Sequence, residues 1–212
     1  MDFSSSPLLS PLSPDSHPTG QHAPGPVAHR THRVRGGGGI TLRVHDVGDL
    51  DAPPLLFIHG FSQCHRAWRR QLHSALGLGF RLVAVDLRGH GDSDKPRGAY
   101  ADSRLWADDL QAVIRGLGLD NPLLVAWSYG GMVVCDYLRQ HGDADIAGVN
   151  FVSAMVKCGS PEAFGLLAPE MLSLIPGLFT PEEAGGHAAL EDRKSTRLNS
   201  SHSGESRMPS SA

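Results

Sequence analysis

The sequence predicts an α/β fold, a doubly wound and mostly parallel sheet with helices on both faces. Two observations carry that prediction. Residues 54–58, 80–85, 123–126 and 146–152 are four short, almost uninterrupted apolar runs, the signature of strands buried on both faces. Between them lie stretches whose apolar residues recur at helical spacing, and strand–helix alternation of this kind favours parallel crossovers.

Taken in order, residues 1–30 are rich in Pro, Ser, His and Gly and poor in bulky apolar groups. Such a segment buries too little surface to offset its chain entropy, and is expected to be a disordered tail. Thr31 to Arg35 and the alternating Ile40-Thr41-Leu42-Arg43-Val44 read as a β-hairpin, with glycines 36–39 as a flexible link. That glycine run lacks the Lys-Ser/Thr that closes a phosphate-binding loop, so a turn is its expected role. Trp68, Leu72 and Leu76 predict a first helix, and Trp106, Leu110, Val113 and Leu117 a second, capped by Asp102 or Ser103. A third helix is expected from just after Ser128 to about Gln140, stopped near Gly142.

Composition narrows the functional classes. The 212 residues carry 19 Lys+Arg against 22 Asp+Glu, a formal net charge of −3, which supports neither a nucleic-acid footprint nor a basic membrane patch. No apolar run approaches the roughly 20 residues of a membrane span. The first residues lack a basic and then apolar leader, so a secretory signal is not expected. Three scattered cysteines, Cys64, Cys135 and Cys158, form no disulfide framework and suggest reduced thiols in the cytoplasm. Twelve histidines are dispersed without metal-ligand spacing, so neither metal nor organic cofactor is expected.

The chemistry-bearing stretch is Ala126-Trp127-Ser128-Tyr129-Gly130-Gly131, where an apolar strand meets a helix. A sharp strand-to-helix turn strains the residue at its apex, and small residues two before and two after relieve the crowding. Ala126 and Gly130 hold those positions around Ser128. Acyl transfer to such a serine also needs two backbone N–H groups aimed at the developing oxyanion. Tyr129 is one expected donor, and Phe61, in the loop after His59-Gly60, the other.

Three motifs in series now point to a family: Phe57-Ile58-His59-Gly60-Phe61, the run Asp86-Leu87-Arg88-Gly89-His90-Gly91-Asp92-Ser93, and Trp127-Ser128-Tyr129-Gly130-Gly131. Together they resemble the α/β-hydrolase fold superfamily, in its serine esterase and non-haem haloperoxidase-like branch, over about residues 31–160. The resemblance implies Ser128 as nucleophile, and Phe61 and Tyr129 as an oxyanion hole of backbone N–H groups. It implies a small ester, lactone or related acyl substrate, with peracid formation as a neighbouring activity. The epoxide-hydrolase and dehalogenase branches resemble the chain elsewhere but use an aspartate where Ser128 stands. Asp86 and His90 fall in what resembles a structural loop of the family, and His59 is expected to fix its loop rather than act as a base.

The family's acid and histidine follow the serine on later strands, and no further apolar strand is recognisable after Ala154. Residues 161–191 read as the start of a helical lid, with His187 its lone histidine. Residues 192–202 resemble a translated sequencing-library adapter, so residues 192–212 are expected to be non-native and the fold incomplete on its C-terminal side. His202 is therefore not a triad candidate. The strand at 146–152 would be left as an open sheet edge. These features set up a second expectation, a catalytically inactive fragment or binding module that keeps only the fold's front half.

Overall fold

The computed structural model describes residues 27–157, and beyond them residues 160, 161, 165, 169, 170, 172 and 173. Six strands, β1 (His29–Arg35), β2 (Thr41–Val47), β3 (Pro54–Ile58), β4 (Arg81–Asp86), β5 (Leu123–Trp127) and β6 (Gly148–Val152), form one sheet in the order β1-β2-β4-β3-β5-β6. β1 and β2 run antiparallel to their neighbours, and β4, β3, β5 and β6 run parallel to one another. The expected α/β architecture with a mostly parallel sheet is therefore present, and all four apolar runs are strands.

Period-two alternation decides which face each strand residue serves. Leu56, Ile58, Val83, Val85, Leu124 and Ala126 pack against one face with α2 (Ser103–Gly116) and α3 (Gly130–His141). Phe57, Leu82, Ala84 and Val125 pack on the opposite face with Trp68 and Leu72. Every residue of β4 is buried, as the centre of a two-sided sheet requires. Asp102 caps α2 by accepting from the Arg104 N–H, and Gly142 ends α3 at φ 76°.

Three sequence readings need correction. The helix expected from Trp68, Leu72 and Leu76 is broken into a 3-10 turn at His65–Trp68, a single α turn, α1 (Arg69–Leu72), and another 3-10 turn at Ala75–Leu78. Ser74 starts the last of these by accepting from the Leu76 N–H, and Leu76 is left exposed. Order also begins earlier than residue 31: β1 opens at His29, and Arg30 is held by the Asp46 carboxylate at 3.1 Å and the Gly48 carbonyl at 2.6 Å.

The glycine link, finally, is a turn but not a loose one. Gly36 N–H donates to the Ile40 carbonyl at 2.8 Å, and Gly37 N–H donates to Asp109 on α2 at 2.8 Å. Arg88 closes the arrangement from the end of β4. It donates to both Asp109 carboxylate oxygens at 2.7 and 2.8 Å and to the Gly37 carbonyl at 2.9 Å, with both charged side chains fully buried.

β6 lies at the end of the sheet order, and its last three residues, Asn150 to Val152, are exposed. Among the described residues, no helix is long and apolar enough to cross a membrane. Residues 161, 169, 170, 172 and 173, in the expected lid, are helical and exposed. The tail readings for residues 1–26 and 192–212, and His187 and His202, lie outside the described residues.

Candidate functional site

Parallel strands deliver their C-terminal ends to one edge of the sheet, and the site assembles there. β5 carries Leu124 to Ala126 through the core, and the chain then reverses at Ser128, whose φ of 54° is left-handed. That conformation costs an L-residue roughly 1–2 kcal/mol, so it persists only where its surroundings enforce it. The Ser128 carbonyl accepts from the Gly131 N–H at 3.0 Å and the Met155 N–H at 2.8 Å, and Ser128 N–H points to the Val152 carbonyl at 3.4 Å. Tyr129 already has helical angles, and α3 begins at Gly130.

Two glycines make this bend possible. A Cβ at Gly130 would lie 2.6 Å from the Ile58 carbonyl oxygen, and one at Gly131 would lie 2.7 Å from both Ala154 Cβ and the Met155 carbonyl oxygen. The need for Gly130 was legible in the motif. The need for Gly131 was not, because it comes from the segment after β6 folding back over the bend.

Gly60 brings the second loop in. A Cβ there would be 3.0 Å from Ser128 Cβ and 3.4 Å from Ser128 Oγ, so the bare backbone after β3 rests against the serine. The Phe61 ring meets Tyr129 edge-on at 6.1 Å, and Tyr129 in turn meets Trp106 of α2 at 5.5 Å. Ser128, Tyr129 and Phe61, the three residues singled out from sequence, are thus neighbours, with Ser128 half-buried at the sheet's edge.

Among the described residues, Ser128 Oγ takes no hydrogen bond, and no imidazole stands against it. His59 is fully buried and both its nitrogens are committed: Nδ1–H donates to the Gly60 carbonyl at 2.8 Å and Nε2 accepts from Leu87 N–H at 3.0 Å. Burial lowers its pKa to about 4, so it is a neutral anchor of the loop. His90 is bound in the same way, donating from Nδ1 to the Arg88 carbonyl at 2.9 Å and accepting at Nε2 from Ser62 N–H at 3.3 Å. Asp86 accepts from the backbone N–H groups of His65 at 2.7 Å and Asp92 at 2.9 Å. Burial alone would raise its carboxyl; these bonds hold it below the ordinary carboxylate value.

Among the described residues, the aspartates after the serine serve elsewhere. Asp136 pairs with Arg139 at 2.8 Å on α3, and Asp145 accepts from Gln111 at 3.0 Å. Asp143 and Asp145 follow α3, at the end of the sheet away from Ser128.

Among the described residues, one group of side chains has metal-ligating chemistry: His45, His65 and Asp86 offer ligand atoms within 4.8 Å of one another. The two imidazoles, however, are stacked face to face with centroids 3.4 Å apart and planes 20° from parallel. Each nitrogen lone pair lies in its own ring plane, so no ion can sit in both without one ring turning. His65 Nδ1 instead meets Asp86 at 2.9 Å.

Comparison with known proteins gives the family. The family model described as alpha/beta hydrolase fold matches residues 53–209. The chain is 38% identical over 115 residues to AB hydrolase superfamily protein YisY of Bacillus subtilis, a match covering 54% of this chain and 42% of that protein. It is 35% identical over 124 residues to Epoxide hydrolase 1 of Caenorhabditis elegans, covering 57% of this chain and 28% of the relative. Among solved structures, the esterase RhEst1 from Rhodococcus sp. ECU1013 superposes with a TM-score of 0.70 and 36% identity, over 76% of this chain and 58% of that one. The chain thus spans less than two thirds of the length of each of these relatives.

Proposed function

Because this chain belongs to the alpha/beta hydrolase fold family, we propose that it is organised as a serine hydrolase, with Ser128 attacking the carbonyl carbon of a small ester, lactone or related acyl compound. The observation that carries the reading is the left-handed bend at Ser128, set between β5 and α3 with Gly60 packed against it. Such a bend lifts a hydroxyl clear of the sheet and beside the first turn of a helix.

In the proposed reaction, Ser128 Oγ bonds to the carbonyl carbon while its proton passes to a general base. The carbonyl oxygen takes up the negative charge beside the backbone N–H groups of Phe61 and Tyr129. Collapse expels the protonated leaving group, and water then releases the acid from the acyl-enzyme by the same steps in reverse. No described residue supplies the base at Oγ, so the proposal assigns that role outside the described set. Residues 161–191 are proposed to cover the site, and small molecules in the cytoplasm to be its substrates. The free thiols of Cys64 and Cys135 are in keeping with such a compartment.

Epoxide hydrolases are also among the relatives. The residue type at the bend favours the ester reading, since a serine forms an acyl-enzyme without a carboxylate nucleophile. The test is covalent labelling of the full chain by a fluorophosphonate, with peptide mapping. Labelling at Ser128 that is lost in Ser128→Ala supports the proposal; folded protein that stays unlabelled, or is labelled elsewhere, overturns it.

A further inference from the structure

We propose that His90 is a positioning residue: its neutral imidazole holds the backbone N–H of Ser62 and thereby fixes the loop that presents Phe61 to the site. This rests on the reading of Ser128 and Phe61 given above. Ser62 follows Phe61 directly and has a φ of 55°, the second left-handed non-glycine residue of the site. A serine in that conformation needs an external hold, and the hold is the 3.3 Å bond from Ser62 N–H to His90 Nε2.

The tautomer that accepts this bond is set by His90 itself. Its Nδ1–H donates to the Arg88 carbonyl at 2.9 Å, which leaves the lone pair on Nε2. The ring is wedged edge-on between His59 at 5.1 Å and Phe61 at 6.2 Å, so it cannot turn away without disturbing both. Arg88, whose carbonyl anchors the ring, is itself fixed by Asp109. Ser62, Phe61 and Gly60 are thus tied to the loop after β4 by two imidazoles, His59 from one side and His90 from the other.

Protonation undoes one of the two ties. An imidazolium carries N–H on both nitrogens and accepts nothing, so Ser62 N–H would face a second donor and the left-handed residue would lose its hold. The groups facing His90 are mixed in sign: Asp86 at the end of β4 favours the charged ring, whereas Lys95 and His59 do not. Burial is the largest influence and keeps the ring neutral to below its ordinary pKa of 6.5. The hold is therefore complete at neutral pH and released under acid conditions.

Two readouts on the full chain test this. The first is hydrogen exchange of the Ser62 amide, which needs no catalysis. Protection in the parent is expected to fall as His90 takes up a proton, to be absent in His90→Phe at every pH, and to persist without that pH dependence in His90→Gln, whose carbonyl still accepts. The second is the rate of Ser128 labelling by a fluorophosphonate. His90→Phe is expected to lose roughly 10–100-fold, the scale of a misplaced reacting group, and the parent-to-Gln rate ratio to fall toward acid pH, any other titrating group cancelling in that ratio. If Ser62 protection is the same in the parent and His90→Phe, or titrates unchanged in His90→Gln, the proposal is overturned, whatever the labelling shows. If Ser62 behaves as expected but Ser128 labels in no variant at any pH, the serine reading fails and so does the catalytic purpose of the hold. Should His90→Phe not fold, the parent and His90→Gln exchange profiles decide alone.

Discussion

Along the hairpin and α2, the buried carboxylates Asp46 and Asp109 take hydrogen bonds from guanidinium groups, Arg30 and Arg81 for the first and Arg88 for the second. At the tips of β3 and β4 the buried His59 and Asp86 and the half-buried His90 accept from backbone N–H groups of Leu87, Ser62, His65 and Asp92. The first arrangement braces elements against one another mainly through guanidinium groups, which do not titrate near neutral pH, with the His32 imidazole also against Asp46 at 3.0 Å. The second shapes loops, and two of its three acceptors are imidazoles that lose their lone pair on protonation. Guanidinium bracing thus dominates one flank of the sheet and imidazole-held loops the other.

The largest expected effect breaks the bracing flank. Arg88→Met leaves Asp109 buried with only the Gly37 N–H for company, and is expected to destabilise the chain by about 3–5 kcal/mol in urea unfolding. Burial already lifts the Asp109 carboxyl above its ordinary value even beside Arg88. The double variant Arg88→Met/Asp109→Leu is expected to recover most of the loss. A single variant as stable as the parent would show that the glycine turn and α2 are not held by this pair.

A second prediction concerns the tips. The folded-state pKa of His59 is about 4, against 6.5 for the free group. Between those values the unfolded chain binds a proton that the folded chain refuses, so stability falls as pH drops through this window. The full effect is about 3 kcal/mol. His59→Gln, which keeps an acceptor without a titration, is expected to reduce the fall of urea midpoints across that range, the remainder coming from His90 and His45, whose pKa values burial also lowers. Asp46 on the bracing flank and Asp86 at the tips, both held below 3.8, lose their contributions only at still lower pH. The smallest effect sharpens the contrast from outside both: Asp102→Ala removes the exposed cap of α2 and is expected to lower the thermal midpoint slightly while leaving Ser128 labelling unchanged.

Much of this was readable in the sequence for definite reasons. β3, β4 and β5 were legible because their apolar runs need a sheet covered on both faces, whereas β6 ends exposed; the bend at Ser128 was legible because strand, small residue and helix meet there. The first helix was misread because Trp68, Leu72 and Leu76 have the right spacing, while Ser74, Gly77 and Gly79 interrupt it locally. The grip on the glycine turn was invisible because its partners, Arg88 and Asp109, lie 51 and 72 residues further along the chain. His90 looked like a loop residue, and only the Ser62 backbone, bent left-handed beside it, shows what it holds.

The bend at residue 128 acts as a filter on the side chains it can carry. Its backbone region is one that short, unbranched polar side chains enter most readily, aspartate and asparagine among them. A threonine there would bring a branched carbon into the crowded turn, although its hydroxyl matches serine's. Exchange of an alcohol for a carboxylate at this vertex is therefore conformationally cheap, and what looks like the milder replacement is the one the scaffold resists.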